Sequence, residues 1–550
     1  MSVRIYLKEI LLVVLFAVLF SLPFHFPHLY FLSFVAFVPL LWALKECSSV
    51  KEVLGMSYLA GLLQTALTYY WILHVTKFGY LAMCVYLGLF VALFGFLAHG
   101  HIVVLSRGGQ EKFANAWLKL LTVSALWVLV EFARGNMPIM RFPWALLGYS
   151  QWKNQWFIQS AEWVGPYGVS FVVVIANVMI FALASFGVSI IKQRATLLRG
   201  IWFVAWIIGI GASVLLANIG YGYHYFNTHR PKARHQVDTY RLSLIQGNIP
   251  QEDKWNEKIQ SMIYNKYDGL TRQIIMDEPN LAIWPETAFP GYWGYERDIT
   301  EKGLRLATQI DTDLLIGAPT FRLAHNETER MNSAIYVSRA GREIKRHHKV
   351  RLVPFGEYIP FFQFLRNFFG DIGRFSPGTE MTLFDFPVPY KTDQDAEVSS
   401  HKGKNMFGVL ICFEDIFPDY CRIFVRKGAK MLVNITNDAW FKNSSGPYQH
   451  AQNSVFRAVE NRVPVVRAAN TGLSCFINER GEIYSSVQQD GKELLVTGFV
   501  TDEVTIPKNQ ELTFYNIYGD YVLYILLVFW FITYPFHLRH ISSPAEDLPE

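Results

Sequence analysis

Cysteine is scarce in this chain: five in 550 residues, at positions 47, 84, 412, 421 and 475, with no Cys-x-x-Cys pair. That spacing gives neither a zinc-binding pattern nor a disulfide framework. Charge is scarce as well. Charged residues make up 17%, against 51% hydrophobic and 16% aromatic. The net charge is only +5, and the basic residues are scattered, which argues against a nucleic-acid partner. No internal repeat is visible, so a solenoid or propeller is not expected.

What the chain does have is long apolar runs. Seven lie before residue 220, at about 9–25, 29–45, 54–74, 79–105, 116–133, 168–190 and 200–220. Each is near the roughly 20 residues needed to cross a hydrocarbon core. An eighth runs from Tyr521 to Phe536. Arg4 and Lys8 precede the first run, as in a signal peptide. Pro23-Phe-His-Phe-Pro27 then follows where a small-residue cleavage site would stand, so a retained membrane helix is expected. If the helices alternate, Arg4, Lys8, Lys45, Lys51, Arg107, Lys112, Lys119, Lys192, Arg194, Arg199 and Arg539 share one side. Only Lys77, Arg134, Arg141 and Lys153 occupy short loops of the other. The positive-inside rule then puts the N-terminus in the cytoplasm and the charged segment outside it.

That segment reads as α/β. Short apolar strands recur at 240–245, 281–284, 313–316, 333–337, 407–411, 431–435, 465–467 and 475–477. Helical patterns lie between several of them, at 256–276, 300–309, 415–427 and 448–461. The pair 333–337 and 343–347, joined through Arg339-Ala-Gly341, looks like a hairpin, so the sheet is mixed. The expected domains are residues 1–220, seven membrane helices; 221–515, a catalytic domain; and 516–550, the eighth helix with a short tail.

Three segments carry chemistry. Leu281-Ala-Ile-Trp-Pro-Glu286 places a carboxylate just past a strand. His347-His-Lys349 places an amine before the proline-marked Val-Arg-Leu-Val-Pro-Phe-Gly-Glu357. Gly408-Val-Leu-Ile-Cys412-Phe413-Glu414-Asp415 ends a third strand in a thiol. At a strand-to-helix junction, backbone N–H groups and the helix dipole favour a thiolate. A thiol near its ordinary pKa still needs a base, which Glu286 can supply, and a cation, which Lys349 can supply to thiolate and oxyanion alike. His347 and His348 are neighbours on one strand and face opposite ways, so a metal site is not expected there. His450 reads as structural. Glu131 and Arg134 are spaced to pair along a helix; contact with a lipid headgroup is the other reading of such groups beside a membrane.

The joint order of these motifs resembles the Glu-Lys-Cys triad of the carbon–nitrogen hydrolase (nitrilase) superfamily, and its apolipoprotein N-acyltransferase branch in particular. The branch is suggested by Gln246-Gly-Asn-Ile-Pro-Gln251 with Trp255, Val-Pro-Phe-Gly-Glu357-Tyr-Ile-Pro360, Asn434-Ile-Thr-Asn-Asp-Ala-Trp440, and Val466-Arg-Ala-Ala-Asn470-Thr-Gly472. Trp127 to Gly135, Phe142-Pro-Trp144 and Gly148-Tyr-Ser-Gln151 extend it into the apolar part. The resemblance implies an eight-helix membrane domain carrying a nitrilase-like α-β-β-α sandwich. It implies transfer of an acyl chain from the sn-1 position of a phospholipid, through a Cys412 thioester, to the α-amine of a diacylglyceryl-cysteine on an apolipoprotein. Glu286 is then the base, Lys349 the electrostatic stabiliser, and Glu357 and Glu414 support the site. Trp255 and Trp440 line its entrance. Contact of Arg134 and Arg141 with a lipid headgroup is an expectation from their place beside a membrane span, not from the resemblance. No cofactor or metal is implied. A monomer is expected in the bacterial inner membrane, with its catalytic domain on the periplasmic side. Phe413 stands where the family usually has tyrosine, and Cys475 where it commonly has a small residue. A membrane-tethered amidase using the same triad is the alternative, and a transporter with an external binding domain a more distant one. The segment 360–380 is a candidate gate.

Overall fold

The computed structural model describes residues 3–106, 116–137, 140–192, 197–228, 236–254, 256–324, 327–354, 356–358, 375–387 and 405–541. The chain divides into two compact units: Met1–His229 with Tyr518–Glu550, and Arg230–Ile517.

The first unit is helical. Among the described residues, six segments are long and apolar enough to cross a membrane: Leu7–His25, Pro27–Lys45, Lys77–Ser106, Ala116–Asn136, Phe157–Ile191 and Gly200–Thr228. Two of the eight expected spans fall outside that set. The helix Val50–Thr68 is long enough but carries Lys51, Glu52 and Gln64. The helix Tyr521–Ile541 meets the apolar criterion only as the shorter Tyr521–Thr533. Six or more apolar helices therefore stand. Proline and glycine shape them. The second segment is a 3₁₀ stretch, Pro27–Phe34, followed by an α-helix, Val38–Lys45. The long Ala161–Ile191 helix is interrupted where Gly165 takes φ +64° before Pro166.

The packing of this unit inverts that of a water-soluble core. Leu11, Phe78, Leu81, Trp202 and Leu216 are more than half exposed, as suits side chains facing lipid. Helices approach through small residues: a Cβ on Gly61 would lie 2.8 Å from the Gly88 backbone. Polar side chains inside the unit bond to backbone. Asn177 Oδ1 accepts from Phe37 N at 2.8 Å, and its Nδ2 donates to Ser33 O at 2.8 Å.

The second unit is built on two six-stranded sheets. Strands β1 (Val237–Gln246), β2 (Leu281–Ile283), β3 (Asp313–Ala324), β4 (Glu327–Ser338) and β5 (Arg342–His348) form most of the first. The second holds β6 (Leu383–Asp385), β7 (Met406–Ile411), β8 (Ala429–Thr436), β9 (Val465–Ala469), β10 (Cys475–Ile477) and β11 (Ile483–Ser486). Strand β12 (Gly498–Pro507) returns to the first sheet. The orders are β12-β1-β2-β3-β4-β5 and β11-β10-β9-β8-β7-β6. Both sheets are mixed: β1-β2-β3 and β7-β8-β9 are parallel and the remaining pairs antiparallel.

Alternation along the strands assigns the faces. Leu242, Leu244, Ile283 and Leu315 of the first sheet meet Val409, Ile411, Val433 and Ile435 of the second. Their neighbours Ile245, Ala282, Leu314 and Ile316 turn outward against Tyr264, Tyr267 and Leu270 of the helix Gln260–Gln273 and Leu306 of the helix Arg297–Gln309. On the far side, the helices Pro418–Arg426 and Gly446–Asn461 cover the second sheet; Gly408 leaves room there for the Phe424 ring. The layering is α-β-β-α, as expected.

Seven of the eight short strands expected from sequence lie inside observed strands, the eighth overruns β2 by Trp284 alone, and β4 and β5 form the expected hairpin. The helix expected over 415–427 differs. It begins only at Pro418, and Cys412–Ile416 is a 3₁₀ turn. Proline at the first helical position starts the helix and leaves the preceding Phe417 extended.

Ile283 is fully buried between the sheets. Ile283→Ala should cost about 2–5 kcal/mol through lost burial and a residual cavity. Thermal unfolding of the detergent-solubilised chain checks this; an unchanged midpoint would mean that the inter-sheet layer does not limit stability.

Candidate active site

Three strand ends place the chemistry. Beyond β2, pairing continues through Trp284 N to Leu315 O at 2.8 Å, and Pro285 then turns the chain so that Glu286 points inward. Glu286 is 6% exposed. Its Oε1 accepts from Asn332 Nδ2 at 2.7 Å and Lys349 Nζ at 3.2 Å, and its Oε2 accepts from Asn437 N at 2.9 Å. Strand β4, the end of β5 and the end of β8 thus all hold one carboxylate, so both sheets contribute.

The turn after Glu286 is strained. Thr287 has φ +45°, unfavourable for a β-branched residue. Lys254 holds it, donating from Nζ to Glu286 O at 2.9 Å and Thr287 Oγ1 at 2.8 Å. Burial lowers the Lys254 amine to about 8, against the opposing pull of Glu286 and Cys412.

Lys349 follows β5, its N–H bonded to Asn332 O at 2.8 Å. Its Nζ donates to Glu357 Oε1 at 2.8 Å as well as to Glu286. Burial opposes its charge, but the two carboxylates prevail and hold the amine well above the ordinary lysine value. Glu357 is fixed in turn by Val353 N on Oε2 at 2.8 Å. Burial raises its pKa, with Lys349 opposing and Glu286 adding to the rise.

Cys412 follows β7 in a left-handed conformation, φ +56°. Its carbonyl accepts from Asn434 Nδ2 at 3.0 Å. Part of its surface remains open, yet burial and the nearby Glu286 push the thiol well above its ordinary value, only partly offset by Lys349. The turn after Cys412 is a five-residue 3₁₀ segment, so the α-helix dipole expected there to favour the thiolate is absent. The thiol rests protonated and needs a base.

Glu414 ties the cysteine turn to the lysine segment. Its Oε1 accepts from Val350 N at 2.7 Å and Arg351 N at 3.0 Å, and its Oε2 from Ile411 N at 2.8 Å. Burial alone would raise it, but His347 and these backbone donors hold it below the usual carboxylate value. Phe413 is buried, with its ring 5.1 Å from that of Phe417. Trp440 is 47% exposed in the turn Asp438–Phe441. Trp255 and residues 360–374 of the candidate gate lie outside the described residues. Cys475 is fully buried in β10. Arg134 and Arg141 belong to the helical unit. Arg134 is buried and donates to Tyr69 Oη at 2.7 Å, while Arg141 donates to Asn136 Oδ1 at 2.7 Å. Glu131 accepts from Leu147 N at 2.7 Å.

Beneath the cysteine turn lies a group that sequence reasoning left unassembled. His450 Nδ1 is 2.8 Å from Asp438 Oδ1, and Nε2 is 3.0 Å from Asp415 Oδ1. Arg467 donates to Asp415 Oδ2 and Asp438 Oδ2, each at 3.1 Å, and to Asn434 Oδ1 at 2.8 Å. An ionised carboxylate only accepts, so both imidazole nitrogens must carry hydrogen. Despite burial, the two carboxylates raise His450 to about 9, with Arg467 opposing. Two anions and two cations then balance. Asp438 and Arg467 stood within motifs read from sequence, but nothing local says that β8, β9 and a helix bring them together. Asn332 gave no sequence signal at all.

Residues 16–179 match the apolipoprotein N-acyltransferase N-terminal domain, and residues 241–505 the carbon–nitrogen hydrolase domain. The apolipoprotein N-acyltransferase of Geobacter metallireducens is 36% identical over 93% of this chain and 92% of its own length. The chain belongs to the apolipoprotein N-acyltransferase family. The Chlorobaculum tepidum member is 27% identical over 91% of this chain and 90% of its own. Among solved structures, Saccharomyces cerevisiae Nit3, of branch 10 of the nitrilase superfamily, matches 50% of this chain and 93% of its own at 17% identity and a TM-score of 0.35.

Two outcomes follow from this geometry. A Cβ on Gly317 would come 2.7 Å from Glu286 Cα and closer still to the Pro285 carbonyl. Gly317→Ala should therefore displace Glu286 and slow formation of any acyl adduct about a hundredfold, as a misplacement of about 1 Å at a reacting centre does. Mass spectrometry measures the rate and a melting curve the fold; a folded variant with unchanged acylation would defeat the assignment. His450 supplies the second. Its folded value, about 9, exceeds the ordinary imidazole value of 6.5, so its stabilisation is complete below pH ~6.5 and disappears as pH rises through about 9. The melting temperature should decline across that window in the wild type, and His450→Gln should flatten the decline.

Proposed function

We propose that this chain acylates apolipoproteins, moving the sn-1 fatty acyl chain of a phospholipid to the α-amine of an N-terminal diacylglyceryl-cysteine. The observation that carries this reading is Glu286 held within 3.2 Å of Lys349, in a buried site whose electrostatics reach the Cys412 thiol. In the first half-reaction Glu286 takes the thiol proton and Sγ attacks the ester carbonyl carbon. Lys349, kept charged by Glu286 and Glu357, faces the oxyanion. The carbon–oxygen bond breaks, lysophospholipid leaves with the proton from Glu286, and an acyl thioester remains on Cys412. In the second, the acceptor amine gives a proton to Glu286 and attacks the thioester. The amide forms, and the departing thiolate takes that proton back.

The membrane part supplies the physical reason for a lipid donor. Acyl chains leave lipid at about 0.8 kcal/mol per CH₂, so an enzyme tethered by its own apolar helices meets both substrates where their tails remain buried. We place the chain in the bacterial inner membrane as a monomer with eight spans and the catalytic unit on the periplasmic side, following its charge bias. Trp440 lines the lipid-facing entrance, and Arg134 and Arg141 are the headgroup contacts. Glu357 orients Lys349, Glu414 joins the nucleophile to the lysine loop, and Phe413 keeps the aromatic packing of the family's tyrosine without its hydroxyl.

Intact-mass analysis of the purified chain mixed with phospholipid tests the first half-reaction. A single acyl adduct mapping to Cys412 is expected. Cys412→Ala should abolish it, and Glu286→Gln should slow it by about 10²–10⁴, the usual contribution of a general base. The adduct should persist until an amine-bearing diacylglyceryl peptide is added. Rapid loss to water without acceptor would favour the amidase reading.

A further inference from the structure

The buried group beneath the cysteine turn reaches Cys412 by two routes. One is Arg467 through Asn434 to the Cys412 carbonyl. The other begins with register. Strands β7 and β8 are parallel with Ile411 opposite Ile435, so the next pair outward is Cys412 and Thr436. The backbone of Thr436 is fixed by Asn470 N on its carbonyl at 3.0 Å. Its hydroxyl lies 3.0 Å from Asp438 Oδ1, and as the cross-strand neighbour of Cys412 it partly offsets the rise that burial imposes on the thiol.

A hydroxyl has one proton and two lone pairs. With its proton on Asp438, Thr436 accepts the S–H of the resting thiol. With its proton turned to Sγ, it donates to the thiolate. We propose that Thr436 is a positioning residue for Cys412, its hydroxyl proton passing from Asp438 to sulfur when the thiol ionises, with His450 and Arg467 holding Asp438 in place when that proton leaves. The last clause accounts for a buried charge cluster that folding alone does not require. Asp438 keeps His450 at 2.8 Å and Arg467 at 3.1 Å whichever way the hydroxyl points. A donor to the charged form of an acid favours ionisation, so Thr436 works with Glu286 in the first half-reaction and stabilises the departing thiolate in the second. The other charges that act on Cys412 are Glu286, Lys349 and Asp438, with Lys254 and Arg467 coupled to it.

This inference rests on Cys412 being the nucleophile, and its test separates the two. Iodoacetamide alkylation of Cys412 is followed against pH by peptide mass mapping of the full-length chain in detergent, beside acyl-adduct formation from phospholipid. Thr436→Val should raise the alkylation midpoint by about one unit, equivalent to the loss of one hydrogen bond to the thiolate, and slow adduct formation about tenfold. Thr436→Ser should restore both to within about threefold of wild type. Should Thr436→Val lose its cooperative melting transition, Thr436→Ala removes the same hydroxyl and is read in the same way. An unchanged midpoint in a folded hydroxyl-less variant overturns the proposal. So does Thr436→Ser behaving like Thr436→Val, since restoring the hydroxyl would then restore nothing. Wild type that alkylates at Cys412 but never forms an acyl adduct defeats the nucleophile reading, while the midpoint still reports on Thr436.

Discussion

The catalytic unit depends on one carboxylate placed where its two sheets come together. Glu286 is held by Asn332 and Lys349 from the first sheet and by the backbone of Asn437 from the second. No one of these contacts suffices to fix a side chain with several rotatable bonds. Together they fix the base against the cation and set both beside the strand end that carries Cys412. The inter-sheet layer of Leu, Ile and Val exists for packing, but its registry is also what brings β2, β5, β7 and β8 to a common rim.

Burying that many charges demands near-complete pairing, because an isolated ion in a protein interior costs several kcal/mol. The site meets the demand with two balanced groups. Lys349 answers Glu286 and Glu357, with Lys254 close by. His450 and Arg467 answer Asp415 and Asp438. Between the groups stands a protonated thiol whose ionisation is opposed by burial. Such an arrangement suits a nucleophile that is activated only when a carbonyl arrives and Glu286 can pass its proton onward. Glu414 ties the two segments together: the backbone at Val350 and Arg351 and the backbone at Ile411 share one carboxylate.

Much of this was legible one residue at a time. Strands β2 and β7 stand out as apolar runs bounded by turn residues and β5 as the partner of a hairpin, and Glu286, Cys412 and Lys349 lie just past them. The helix after Cys412 was misplaced because acidic residues mark helix starts and tight turns alike; Pro418 is the sharper signal. Lys51, Glu52 and Gln64 dilute the apolar character of the helix Val50–Thr68, which therefore stands outside the six segments that are plainly long and apolar enough to cross a membrane. Asn332 was invisible, being one polar residue on a long strand, and Lys254 was passed over beside the more conspicuous Trp255.

The sequence by itself determined the alternation of apolar and polar residues, and with it the two kinds of unit, the strand ends and the three residues proposed as base, cation and nucleophile. Those properties are local: a side chain's chemistry and a period of two or 3.6 do not depend on partners. Tertiary structure alone decided that Asn437 caps Glu286 from the other sheet, that Asp415, Asp438, His450 and Arg467 neutralise one another under the nucleophile, and that Thr436 stands beside Cys412. Those contacts join residues up to 151 positions apart, and only packing in register between two sheets selects them.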